Sequence, residues 1–478
     1  MGRADTVPAF ARDILRTLEA AGSEAYCVGG CVRDTLLGRT PGDWDITTSA
    51  RPEETLALFG ADALPTGLRH GTVTVRRPDG SAEVTTFRRD GDYTDHRHPE
   101  SIAFTDSLTE DLARRDFTVN AMALSLRGEL RDPFHGREDL AAGHIRCVGE
   151  PARRFGEDAL RILRGLRFAA VLGFAIEPET AAALSAARED LRAIAPERIF
   201  TEVRKLLAAE RPSAVLREFP EVFGVFWPEL LPMLGYDQRN FHHCYDLWEH
   251  TLHALDAVPG EEALRFAALF HDVGKPDCFS LDAGGVGHFY GHAAKSAQLA
   301  DAMLARLRAP NALREEVTEL IRRHDTPLPG IPEANLRRLL RRLGEARLRR
   351  LIALQRADNL AQAPEYRAER AAGLDEVLRR LDAILREDAC FSLRQLAVNG
   401  RDLLALGLRG AEIGRALDLL LNEVVEGRLP NEREALLAAV RGRGVKNGKR
   451  PGDGDRPRGA FGQGRGKWGK KSAFLPKN

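Results

Sequence analysis

Residues 27–50 read CVGGCVRDTLLGRTPGDWDITTSA. The apolar run leading into the glycines, Ala25 to Val28, suits a strand. Gly29 and Gly30 allow a tight turn and let backbone N–H groups approach a phosphate closely. Arg33, followed by Asp34, opens the next helix and adds a fixed positive charge. Asp43 and Asp45 lie two apart, so on a strand both side chains share one face. Two carboxylates beside a phosphate cradle make a Mg2+ site suited to phosphoryl transfer. A Gly-Gly or D-x-D pair alone is more often a solvated turn. All of these features, in this order within 17 residues, point to a nucleotide site.

Two further stretches extend that site. Residues 110–121, EDLARRDFTVNA, bring Arg114, Arg115, Asp116 and Asn120 together. Arg115 suits a triphosphate, and Asp116 can accept from a ribose hydroxyl. Residues 156–170, GEDALRILRGLRFAA, read as a helix packed through Ile162, Leu163, Leu166 and Phe168. Arg161, Arg164 and Arg167 recur every three residues and form a stripe. Asp158 and Arg161, at i and i+3, place an acceptor beside a donor on that helix. Cytosine and adenine show the complementary pattern on their pairing edge; guanine and uracil show the reverse. The alternative is a surface salt bridge.

The chain has 478 residues, enough for several domains, and 43% apolar residues. It shows no run of 18 apolar residues and no signal peptide, so a soluble cytoplasmic protein without membrane association is expected. Six scattered cysteines (27, 31, 147, 244, 278, 390) form no C-x-x-C pair and read as free thiols in a reducing compartment. The net charge is zero, but residues 441–478 carry +10 and the first 440 carry −10. That tail is Gly-rich and holds Phe461, Trp468 and Phe474, so it reads as a disordered segment able to contact RNA.

Strand-like runs at 25–28, 44–48, 71–76, 82–88 and 119–126 lie in the first 150 residues. Helical periodicity follows at 157–172, 197–209, 247–258, 293–308 and 334–355. The proline-punctuated aromatic stretch 215–235 reads as a helical packing element before a new domain. The expected class is α+β: a small mixed α/β head, then a large all-helical body.

These clusters together resemble the class II tRNA nucleotidyltransferase/poly(A) polymerase family. The resemblance rests on GGCVRD with DWD, RRDFTVNAMA, DPFHGREDL (132–140), EDALRILRGLRFA and ERIFTEVRKLL (197–207). It implies a polymerase-β-like nucleotidyltransferase head with a helical neck, body and tail. It implies that Asp43 and Asp45 are catalytic and bind Mg2+. It also implies that Gly30, Arg33, Arg115, Asp116, Asp158, Arg161, Arg164 and Arg167 contact nucleotide. Glu83 is a candidate third carboxylate or an exposed strand residue. The implied reaction adds or repairs the 3′-terminal CCA of tRNA from CTP and ATP. Residues 88–99 (RRDGDYTDHRHP) resemble a flexible head loop that argues against CC-only addition. Poly(A) polymerase remains the alternative of like chemistry.

His250, His271-Asp272 (in LFHDVGKP), His292, His324-Asp325 and Asp358 are spread over successive helical runs. Such residues can converge on one or two metals in a helical core. The stretch 240–365 looks like an HD metal-dependent phosphohydrolase domain. That resemblance implies His250, His271, Asp272 and Asp358 as ligands of a divalent transition metal, with His292 and His324 serving a second. A phosphohydrolase whose head merely binds RNA is the rival from another class. The expected division is head 1–150, neck 151–235, HD domain 236–365, body and tail 366–440, and basic tail 441–478.

Overall fold

The computed structural model describes residues 6–91, 102–386 and 393–444. The basic tail from 445 onward, most of the 88–99 loop and Cys390 lie outside them. Residues 1–387 and 388–478 form two compact units.

The first unit begins with a mixed sheet. Its strands are β1 (Ala25–Val28), β2 (Asp45–Thr48), β3 (Ala63–Gly67), β4 (Thr72–Arg77) and β5 (Gly80–Thr86). A separate two-stranded ribbon pairs β6 (Arg88–Asp90) with β7 (Ile102–Phe104), and β8 (Ala123–Ser125) and β9 (Leu130–Arg131) complete the sheet. The order is β3-β4-β5-β2-β1-β8-β9. β1 runs antiparallel to both β2 and β8, whereas β2 and β5 are parallel. β1 is central and almost wholly buried, which suits its apolar AYCV sequence. The helix Ala9–Ala20 buries Ala11, Ile14, Leu15 and Leu18, the spacing of one helical face, and packs on β1 and β5.

Four expectations shift in detail. Asp43 lies in a bend just before β2, which starts at Asp45. The first helix after the glycines is Gly30–Leu36, so Arg33 stands one turn in. The 119–126 run opens as a short 3-10 turn, Thr118–Asn120, before β8. The 334–355 run divides into Glu333–Leu343 and Glu345–Leu360 at Gly344, whose φ of +76 interrupts the helix.

The rest of this unit is helical. Leu160–Leu172 packs on Pro196–Leu207, Leu247–Ala257 on Glu345–Leu360, and His292–Arg306 on Asn311–Arg323. The 215–235 stretch contributes Trp227, fully buried, with Phe270 edge-on at 4.9 Å. The Trp227 indole N–H donates to the Met303 carbonyl at 3.1 Å. This stretch is therefore joined to the helices that follow it. The second unit holds helices Gly400–Ala405, Ala411–Val425 and Arg433–Gly444 around Leu403, Leu420, Leu421 and Leu436. No helix of the described residues is long and apolar enough to cross a membrane.

Candidate active site and second cluster

A cleft of about 760 Å3 opens between the sheet and the helix Leu160–Leu172. All ten catalytic and nucleotide-contact positions singled out above line it: Gly30, Arg33, Asp43, Asp45, Arg115, Asp116, Asp158, Arg161, Arg164 and Arg167. Eight arginines line it against five carboxylates, a balance that favours a polyanionic ligand.

The β1–α turn sets one wall. Gly29 has φ 80 and ψ −132, a region closed to side chains. A Cβ there would meet the Arg115 guanidinium at 3.1 Å. The sheet sets the floor. Val28 pairs with Asp45 across β1–β2, and Asp45 with Glu83 across β2–β5. Burial raises the Asp45 carboxyl; Arg115 offsets part of this, while Glu83 and Asp43 add to it. Asp43, Asp45 and Glu83 offer only hard oxygen donors, which fit Mg2+. Burial first, and the neighbouring carboxylates second, disfavour the Asp45 charge, a penalty that a cation beside it would relieve.

The arginines are braced rather than loose. Arg33 donates to Asn120 Oδ1 at 2.7 Å, and Asn120 donates on to Asp116 at 3.3 Å. Arg164 donates to the other Asp116 oxygen at 2.8 Å. Burial opposes the Asp116 charge, but Arg164 and the Asn120 bond outweigh it and hold the carboxyl at about 2. Phe168 carries the guanidiniums of Arg167, Arg33 and Arg164 at 4.1, 5.2 and 5.5 Å from its ring centre. Arg167 donates to the buried Glu202 at 2.6 Å.

Asp158 and Arg161 depart from the expected pair. The helix breaks between Pro151–Glu157 and Leu160–Leu172, leaving Asp158 extended at φ −142, ψ 103. Asp158 accepts from the Leu160 N–H at 3.0 Å and from Arg198 at 3.2 Å. Arg161 instead donates to Glu157 at 2.6 Å. Both side chains face the cleft, but they are not an i,i+3 pair on one continuous helix. Residues not singled out from the sequence include Asp111, fully buried. It accepts from Thr47 at 3.0 Å and Arg114 at 2.9 Å and sits 3.5 Å from Arg115. Its spacing of three and four from those arginines was the available signal. Arg198 and Glu202 lay inside the quoted ERIFTEVRKLL stretch.

The second group also converges. His250, His271 and Asp272 place ligand atoms within 4.8 Å of one another, and so do Asp272, His292 and His324. Asp272 belongs to both sets. Its Oδ2 lies 3.1 Å from His271 and 3.5 Å from His250; its Oδ1 lies 3.4 Å from His292 and 3.6 Å from His324. Asp358 lies 3.1 Å from His250. Each imidazole Nδ1 faces a backbone carbonyl: Ala361, Ala268, Phe289 and Ile321, at 2.7 to 3.1 Å. That arrangement holds the Nδ1–H and turns Nε2 into the cluster, where the Nε2 atoms of His292 and His324 lie 3.2 Å apart. Nε2 of His250 and of His271 is buried and makes no well-aligned hydrogen bond, although a carboxylate oxygen stands 3.1 Å from each, a crowding of ligand atoms that a metal would satisfy. The donor set of imidazoles and carboxylates therefore fits a divalent transition metal. Lys275, from the GKP stretch, lies 2.7 Å from Asp272.

Comparison with known proteins fits this geometry. Residues 25–146 match the poly A polymerase head domain, 173–222 an RNA and SrmB-binding site of polymerase A, and 296–440 a tRNA nucleotidyltransferase domain 2. A CCA-adding enzyme of Levilactobacillus brevis is 35% identical over 442 residues, which is 90% of this chain and 97% of that relative. The chain belongs to the CCA-adding enzyme family. One from Geobacillus stearothermophilus is also 35% identical, over 89% of this chain and 94% of its own length. The crystal structure of the Bacillus stearothermophilus CCA-adding enzyme in complex with CTP superposes with a TM-score of 0.65 at 30% identity, covering 91% of this chain and 97% of that one. A Thermotoga maritima CCA-adding enzyme complexed with tRNA shares the fold at a TM-score of 0.58 and 20% identity, over 92% and 97% of the two chains. The chain is thus a nucleotidyltransferase with an α+β fold, as its sequence motifs implied.

Proposed function

We propose that this CCA-adding enzyme builds or repairs the 3′-CCA of tRNA from CTP and ATP in the cytoplasm. The observation carrying the reading is one cleft in which Asp43 and Asp45 face a braced set of arginines. Arg33, Arg115, Arg164 and Arg167 hold the triphosphate, and Asp116 takes the ribose. Asp43 and Asp45 hold Mg2+, with Glu83 beside them. Mg2+ held there would supply the positive charge that lowers the cost of deprotonating the attacking hydroxyl and of releasing the leaving group. The 3′-hydroxyl of the RNA attacks the α-phosphate, the α–β bond breaks and pyrophosphate leaves. The protein supplies position and charge, not a covalent nucleophile. Asp158 and Arg161 read the base edge, with Arg198 orienting Asp158. The domain division follows: head 1–150, neck 151–235, HD domain 236–365, body and tail 366–440, and an RNA-contacting basic tail 441–478.

A tRNA transcript ending at the discriminator base tests the reading. Two additions with CTP, and a third only with ATP, support it. A long ATP-only ladder makes the protein a poly(A) polymerase instead.

A second activity is supported by the four carbonyl-braced imidazoles around shared Asp272. His250, His271, Asp272 and Asp358 hold one transition metal, and His292 and His324 help hold another. The chemistry is hydrolysis of phosphomonoesters or 2′,3′-cyclic phosphates at damaged tRNA ends. Wild type and His271→Ala are compared on a 2′,3′-cyclic phosphate with Ni2+, Mn2+ or Mg2+. An inactive wild type under every metal sinks this activity.

A further inference from the structure

The second cluster is walled by two neighbouring segments, 236–246 and 280–292. The Gly287 N–H donates to the Arg239 carbonyl at 2.7 Å, and Asn240 donates to the Gly287 carbonyl at 3.0 Å. Each segment projects an aromatic ring two residues upstream of an imidazole in or against the cluster. Phe241, 61% exposed, precedes His243, whose ring stands edge-on to His250 at 5.1 Å. Tyr290, 77% exposed, precedes His292. They are the two most exposed large hydrophobic side chains among the described residues.

Neither ring stands alone. Phe241 lies 4.4 Å from the His242 ring, which stands edge-on to Tyr366 at 4.3 Å. Tyr290 lies parallel to His288, 5.3 Å away and 11° from coplanar. A ring backed by another ring and open to solvent is a stacking face. The His242 carbonyl accepts from the Ala363 N–H at 2.8 Å, and Gln362 beside it lies 3.5 Å from Asp358. The Phe241 side is thereby fixed against the Asp358 end of the cluster. Arg370 adds a cation 3.6 Å from Asp358, and Lys275 another beside Asp272. Flat apolar faces, flanking cations and phosphate-binding chemistry match an unpaired nucleotide: base on the rings, phosphate at the imidazoles.

We propose that Phe241 and Tyr290 are a nucleobase platform serving the second cluster, which selects nucleotide ends over base-free phosphate esters. The assignment of the ligand's phosphate end rests on the metal-site reading above; the platform itself does not require the metal. The test labels the full-length protein with photoactivatable 8-azidoadenosine 2′,3′-cyclic phosphate and maps the modified peptides. Labelling of the 236–246 or 280–292 segments is expected. AMP should compete for it at least tenfold better than ribose 5-phosphate, the scale set by stacking one base. Phe241→Ala with Tyr290→Ala, both exposed and so compatible with folding, should lower nucleotide affinity at these segments about tenfold. Head labelling should be unchanged. Labelling confined to the head, equal competition by ribose 5-phosphate, or unaltered affinity in the double variant each overturn the proposal. Co2+ titration followed by visible absorption tests the metal reading separately. If wild type binds no Co2+ but labels these segments with base preference, the platform stands and the metal reading falls.

Discussion

Replacing Gly29 by alanine perturbs the head cleft at a single methyl group. The residue sits at φ 80, ψ −132, where a side chain costs roughly 1–3 kcal/mol. The new Cβ would lie 3.1 Å from Arg115 Nη1 and 3.9 Å from Asp45 Oδ2. Arg115 cannot retreat freely, because Asp111 stands 3.5 Å from its other terminal nitrogen and is itself held by Thr47 and Arg114. The guanidinium must therefore shift by a few tenths of an ångström within the cleft. A hydrogen bond involving a charged group contributes about 1.5–3 kcal/mol. Losing one to the triphosphate weakens CTP binding on the order of 10- to 150-fold. Gly38→Ala is the control. Its φ is +70, yet its Cβ would meet nothing within 4 Å, so it carries backbone strain without touching the cleft. CTP affinity by equilibrium dialysis and urea midpoints are measured for both variants. Both should lose stability, and only Gly29→Ala should lose CTP. Wild-type CTP affinity in Gly29→Ala, or equal loss in Gly38→Ala, refutes the role given to Arg115.

Asp43→Asn and Asp45→Asn should each cut nucleotide incorporation by about a thousandfold or more while leaving CTP affinity within a fewfold, because the proposed mechanism gives binding to the arginines and metal chemistry to the carboxylates; a variant that loses binding and turnover equally would contradict this split. Asp116 is held at about 2 in the folded protein, below the ordinary value near 3.9, so its contribution is complete above about pH 4 and is lost as pH falls toward 2. That contribution is roughly 2 kcal/mol, and the difference in unfolding temperature between wild type and Asp116→Asn should shrink across this window; a constant difference down to pH 2.5 argues against the pair. Asp158→Ala should relax discrimination against GTP and UTP, and Arg198→Ala should do so more weakly; unchanged selectivity in single-nucleotide assays removes Asp158 from base reading.

The cleft was legible in the sequence because its parts are local. The Gly-Gly turn and the Arg stripe each place their side chains through the geometry of one element, Asp43 reaches the cleft from the bend leading into β2, and the sheet register then carries Val28 to Asp45 and Asp45 to Glu83. Short elements without alternation were harder. β3 reads ALPTG, with a proline and no clear inward face, and its place at the sheet edge comes only from pairing with β4. Asp111 was overlooked because a carboxylate ahead of two arginines looks like an exposed charged turn. Only the packed structure reveals that it is wholly buried and anchors both guanidiniums.

Asp158 shows where local reasoning stops. The i,i+3 argument holds only if the helix is continuous through both residues, and periodicity supports continuity because Phe155, Ile162 and Leu163 all bury. Yet Asp158 leaves the helix, caps Leu160 and turns toward Arg198, a partner 40 residues away on another helix. Arg161, one turn on, is left to Glu157. The cleft edge proposed to face the base is therefore set by two helices rather than one. Its geometry depends on how Pro196–Leu207 packs against Leu160–Leu172, so a substitution in the buried part of that helix–helix contact, outside the cleft lining, should alter base choice without altering triphosphate binding. The second cluster obeys the same logic at larger scale. Its histidines were visible as a sequence order, but their convergence on Asp272 depends on how the helices that carry them pack together.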